Sequence, residues 1–181
     1  VANSVGGSQW FDAVEVTVGP VGTYSAQNSV AYTGDADVEA QVAHAPAPAV
    51  DPPGTADPFF SGCTAFTAEQ TAAVAGKIAY LYWDDDDATR DCGSAARFDN
   101  AQDAGAVGVL LGSELDVFSA GIAGNEAIPG AQLTGASTDD LHAALLAGGV
   151  TMKIGPSYAN AKFEVNPNLG DLVNSSSSRG V

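Results

Sequence analysis

Basic side chains are scarce in this sequence: six lysines and arginines stand against 22 aspartates and glutamates in 181 residues, a formal net charge of -16. So few cations release few counterions, so neither nucleic acid nor an anionic membrane surface is an expected partner. The charge keeps the chain soluble, and it leaves room for basic peptide partners. Histidine and cysteine are equally sparse, two of each. No Cys-x-x-Cys spacing occurs, so the sequence argues for no zinc site. No apolar run approaches the ~20 residues of a membrane-spanning helix. Residues 1–7 show no charged segment followed by an apolar one, and the first residue is Val1 rather than Met. The chain therefore reads as an internal piece whose export signal lies elsewhere.

What remains is ample for a folded domain. Hydrophobic residues make up 45% of the chain, too many for a disordered tail. A chain of this size buries roughly 70% of its unfolded surface. Cys63 and Cys92 are widely spaced in an acidic chain, which suits an oxidising compartment. Paired, they would close a loop of about 30 residues and stabilise the fold by about 3.6 kcal/mol in the chain-entropy model. Unpaired, they would be buried thiols.

The N-terminal third reads as strands. Trp10 to Val18 alternates apolar and polar after Phe11, and Gly19-Pro20-Val21-Gly22 is a turn. Strands are expected over Thr23–Thr33 and Val38–Ala43, then an exposed extended loop from Ala45 to Pro58 with five prolines. From Gly76 the texture changes. Ile78-Ala79-Tyr80-Leu81-Tyr82-Trp83 is nearly all apolar, as a strand covered on both faces should be. A helix is expected over Ser94–Ala104, with Ser94 as N-cap and Gly105 as the terminating glycine. Val107–Leu111 is a second buried strand, so strand, helix and strand imply a parallel crossover. Ile128–Leu133 follows as a short strand whose Pro129 marks an edge or a start. Ser137 or Thr138 caps a helix over Asp139–Ala147 with Leu141, Leu145 and Leu146 on its apolar face, Gly148-Gly149 stops it, and Val150–Ile154 is a strand.

Gly76-Lys77-Ile78-Ala79-Tyr80-Leu81, Cys92, and Phe98 through Ala104-Gly105-Ala106 to Leu111 together resemble the core of the protease-associated (PA) domain. Ile128-Pro129 and the helix and strand after it resemble that family's next segment, so the resemblance covers about residues 58–156. It implies an α+β fold, a mixed barrel-like β-sheet flanked by two short helices. Val1-Ala2-Asn3-Ser4 with Trp10-Phe11, and Ser177-Ser178-Arg179-Gly180, resemble the places where a subtilisin-like protease leaves and re-enters its catalytic domain. The second match departs from the family pattern at Ser176 and Val181, and a plain serine-rich tail is the competing reading. The expected organisation is then a host-derived strand segment at 1–20, the PA domain at 21–157 and a return segment at 158–181. An inserted domain also brings its two ends close together.

No catalytic set is expected. His44 beside the proline loop and His142 on the last helix read as surface histidines. No G-x-S-x-G elbow and no G-T-S motif of a subtilisin-like enzyme is present. The resemblance implies a non-catalytic module of a secreted or cell-surface subtilisin-like serine protease. Its partners would be the host catalytic domain and protein or peptide substrates, which it would select or keep from the cleft. Hosts of another kind, a zinc aminopeptidase or a sorting receptor, are the alternative, as is a calcium-binding adhesion module. The candidate peptide-binding residues are Phe59 and Phe60 after the proline loop, and Asp84, Asp85, Asp86 and Asp87. Trp83, Tyr82 and Phe118 could line a groove, though most aromatics should be core. The four aspartates read as a solvated acidic turn, as a docking site for a basic segment, or as a calcium contact at Asp84 and Asp86. Against calcium, adjacent carboxylates rarely converge and the D-x-D-x-D-G loop is absent. No other cofactor is expected.

Overall fold

The computed structural model describes residues 4–5, 8–46, 60–118, 120–165 and 172–173. The elements are β1 (Ser4–Val5), β2 (Ser8–Val18), β3 (Gly22–Asn28), β4 (Val38–His44), α1 (Ala68–Val74), β5 (Ile78–Leu81), α2 (Ser94–Asp103), β6 (Gly108–Leu111), β7 (Gly130–Leu133), α3 (Gly135–Ala147), β8 (Thr151–Ile154), a 3-10 turn (Pro156–Tyr158), β9 (Lys162–Val165) and β10 (Leu172–Val173).

The Gly19-Pro20 turn folds β3 back on β2, with Asp12 opposite Ala26 and Val16 opposite Gly22. From β3 the sheet runs through β7, β6, β5, β4 and β8 to β2, and the β2–β3 pairing closes it into a seven-stranded barrel. The β4–β5, β5–β6 and β6–β7 pairs are parallel and the rest antiparallel, which is the expected mixed, barrel-like α+β fold. Closure leaves the seven strands no free edge. Outside the barrel, β9 pairs with the start of β2, Trp10 opposite Phe163. Separately, β1 pairs antiparallel with β10, Ser4 opposite Val173, so residues 4–5 and 172–173 lie side by side.

Strand alternation divides the core. Ile78 and Tyr80 of β5 point into the barrel with Val14, Val16, Leu110, Leu133 and Met152. Ala79 and Leu81 point the other way, against Phe98 and Ala101 of α2 and Val74 of α1. Leu141 and Leu145 of α3 belong to the inner cluster, and burying each contributes roughly 1.5–3 kcal/mol.

Several expectations change. Three α-helices flank the barrel rather than two. The added one, α1, buries only Gln70 and Val74 and so carries no apolar stripe, but Thr67 and Gln70 form a reciprocal capping box. Helix α3 starts four residues earlier than expected, because Thr134 rather than Ser137 or Thr138 accepts from the Ser137 N–H. Leu146 lies off its apolar face and is exposed. Ser94 is the first residue of α2 and not its cap, which is Gly93. The Ser94 hydroxyl accepts from the Ala123 N–H at 2.9 Å instead. The segment expected to flank the domain, 1–20, contains β2, which gives Ala13, Val14 and Val16 to the buried centre. The expected return segment, 158–181, contains β9. Gly105 terminates α2 as expected, at φ +81°.

Candidate functional site

The parallel strands β5 and β6 end together, Leu81 opposite Leu111, and the segments that follow meet where Asp85 reaches Ser113 and Glu114. The carboxyl ends of parallel strands are where open α/β sheets place ligands, because successive loops converge there. Two clefts open in this region, of about 300 Å³ and about 360 Å³. Trp83, 8% exposed, borders both.

The Asp84–Asp87 run starts the first loop, and its carboxylates diverge. Asp84 accepts from the Thr89 hydroxyl at 2.7 Å and the Asp86 N–H at 2.9 Å. The Thr89 hydrogen bond leads the causes that hold the Asp84 carboxyl below its usual value. Asp85 turns inward and accepts from the Ser113 hydroxyl, the Glu114 N–H at 2.7 Å and the Gln132 amide at 3.1 Å. It therefore ties the loop after β5 to the loop after β6 and to β7. Asp86 accepts from the Ala88 N–H, and Asp87 pairs with Arg90. A cation at Asp84 and Asp86 would compete with these donors. Among the described residues, no three histidine, cysteine, aspartate or glutamate side chains gather into a metal-holding group.

The smaller cleft has Trp83 and Phe118 in its wall, and Arg90 and Asp87, already paired to each other, at its side. Arg90 stacks over Trp83 with its guanidinium 4.1 Å from the ring centre. The larger cleft has Tyr80, Tyr82 and Trp83 for walls, with Glu114, Asp139 and His142 around it. Its floor depends on Gly112, where a Cβ would meet the Tyr80 hydroxyl at 2.6 Å. The Ser113 N–H donates to the Thr138 hydroxyl at 3.0 Å, which fixes that loop against α3. Asp116 accepts from the Ala136 N–H at 2.8 Å in the first turn of the same helix.

Behind the clefts, Cys63 and Cys92 form a disulfide with Cα atoms 5.7 Å apart. Arg97, 1% exposed, donates to the carbonyls of Ser61, Tyr82 and Cys92. Burial first, and then the charge of Arg90, brings its pKa down to about 10, so it stays charged at neutral pH.

The aromatic expectations need correction. Phe60 is 1% exposed and packs edge-on against Phe66 at 4.9 Å, so it is core and not a peptide-binding surface. Phe59 and the proline-rich loop lie outside the described residues. Tyr82 and Phe118 are half-buried and line the clefts. Neither His44 nor His142 is an open surface residue; both are half-buried, and His142 borders the larger cleft. The reading of motifs passed over Gly112, Glu114 and Asp139. The signal that finds them is positional: Gly112 and Glu114 follow the end of a buried parallel strand, and Asp139 lies in the second turn of the helix beside it.

The PA domain family model matches residues 32–154. The chain belongs to the PA domain family. A PA domain is a protease-associated accessory domain and not the catalytic one. Solved structures share the fold. An aminopeptidase from Aneurinibacillus sp. strain AM-1 has a TM-score of 0.55 at 18% identity, covering 87% of this chain and 34% of its own. BSAP, a zinc aminopeptidase from Bacillus subtilis, has a TM-score of 0.48 at 17% identity, covering 87% and 32%. A peptidase M28 precursor from Shewanella amazonensis SB2B has a TM-score of 0.46 at 15% identity, covering 81% and 35%. This PA domain thus spans about a third of the length of those chains. No curated protein matches the chain. The expected subtilisin-like host finds no support in these structures; of the residues that suggested it, Ser4 lies in β1 and Trp10 and Phe11 in β2, while 1–3 and 177–180 lie outside the described residues.

Proposed function

We propose that this PA domain is the non-catalytic, polypeptide-contacting module of a larger exported peptidase, and that it governs which protein substrates reach the catalytic centre. The observation that carries the reading is the pairing of β1 with β10. It brings the entering and leaving chain together, as a module set into one loop of a host requires. Two clefts at the carboxyl ends of β5 and β6 supply concave surface for a partner. The disulfide supports export to an oxidising compartment.

An aminopeptidase is the host we favour over a subtilisin-like one, since the fold recurs within an aminopeptidase at a TM-score of 0.55. The test is excision of residues 8–165 from the parent enzyme. The reading predicts that small chromogenic peptides are still hydrolysed while the rates on folded and long unfolded proteins change relative to them. Equal loss on every substrate, or no change on any, contradicts it.

A further inference from the structure

We propose that the larger cleft receives a lysine or arginine side chain from an extended segment of a protein substrate. This rests on the reading of the domain as a polypeptide-contacting module and names where, and by what chemistry, the contact is made.

The cleft's volume of about 360 Å³ lies at the small end of ligand pockets, which span about 300–1,000 Å³. That is room enough for one long side chain. Half-buried Tyr82 lines it beside the buried Tyr80 and Trp83, and so do Glu114 and Asp139, both exposed. Aromatic faces take the methylene stem of a long cationic side chain while carboxylates meet its head.

Charge complementarity selects the occupant. No lysine or arginine lines this cleft. The cations among the described residues are engaged elsewhere: Lys77 with the Ala73 carbonyl, Lys153 between Glu15 and Glu39, and Lys162 with Glu164. Arg90 pairs with Asp87, and Arg97 is buried against three carbonyls. The neighbouring cleft already holds a cation, Arg90 stacked on Trp83. The two clefts that share Trp83 therefore differ in lining: Arg90 lines the smaller one, and no lysine or arginine lines the one beside α3.

The experiment uses the 181-residue chain, 15N-labelled, with three capped pentapeptides that differ at the central residue: lysine, norleucine or glutamate in an alanine background. The lysine peptide is expected to move the amide resonances of Gly112, Ser113, Asp139 and His142. Norleucine should bind more weakly and glutamate not at all. Glu114→Gln and Asp139→Asn should each weaken the lysine peptide about two- to fivefold, as removal of an exposed ion pair does. Glu69→Gln, on the exposed face of α1, should leave it unchanged. Raising the salt should weaken binding. Shifts that map around Arg90 or onto β9, or equal shifts with all three peptides, overturn this inference but leave a polypeptide-contacting domain. Shifts in these amides that appear on concentrating the protein alone assign the cleft to a second copy and also overturn it. No shift with the lysine peptide overturns the inference; that result together with an excision that changes nothing removes the functional reading as well.

Discussion

The guanidinium of Arg97 lies 5.1 Å from the centre of the Trp83 ring, while its N–H groups hold the carbonyls of Ser61, Tyr82 and Cys92. One buried cation thus joins the end of the segment before the disulfide, the end of β5 and the start of the approach to α2. Replacing it with methionine keeps the stem but leaves buried carbonyls unpaired, at a cost of about 2–5 kcal/mol. Arg97→Lys should recover only part of this, because an ammonium cannot fork to three carbonyls. Urea unfolding measures both. A loss under about 0.5 kcal/mol for the methionine variant, the range of an ordinary surface change, would contradict the bracket.

The disulfide has a sequence separation of 29. Its reduction, or the Cys63→Ser and Cys92→Ser double change, should cost about 3.6 kcal/mol by the chain-entropy model. For a domain of this size that is a fall in melting temperature of roughly 7–14 °C. An unchanged melting temperature under full reduction would show that Arg97 and the surrounding core hold the loop alone.

Gly130 admits no side chain. A Cβ there would lie 2.3 Å from the Phe98 ring and 2.8 Å from the Val109 carbonyl. Phe98 is fully buried and cannot swing away. Gly130→Ala should destabilise by about 1–3 kcal/mol, as overpacking does. Gly121→Ala, whose Cβ would meet only Val30 at 3.8 Å, should stay within about 0.5 kcal/mol. Equal thermal stability of the two variants would contradict this packing.

Glu164 reports on the outer ribbon under acid. The Ser25 hydroxyl donates to its carboxylate, the largest cause holding its pKa below the ordinary 4.5, and Lys162 adds to it. The fold therefore favours the charged form. That stabilisation is intact above about pH 4.5 and is lost as the pH falls through the lower folded value. Glu164→Gln should remove this part of the acid dependence, so the two proteins should differ in unfolding midpoint at pH 6 and converge below the folded value. A constant difference across the range would contradict it.

Much of the barrel was legible because its physics is local. The four-residue apolar runs of β5 and β6 are buried at every position, and period and burial then agree. Gly105 and Gly148-Gly149 marked helix ends because their backbone takes positive φ. Elements held by pairing alone were not legible. β9 leaves Phe163 and Val165 exposed and is defined by its register on β2, which no window of sequence displays. The site was legible in one part only. The aspartate run was correctly located as a loop feature, but Asp85's inward turn depends on Ser113 and Gln132, 28 and 47 residues away. Phe60 misled because a proline-rich neighbourhood suggests exposure, whereas tertiary packing on Phe66 hides it.

The most direct test of the central claim, an accessory domain within a peptidase, is the coding sequence on either side of residues 1–181. The account predicts a peptidase catalytic set there, with that of an aminopeptidase as the expected form. A serine-protease set would keep the accessory role and replace the favoured host. Flanking sequence that encodes no peptidase of any class would contradict the account.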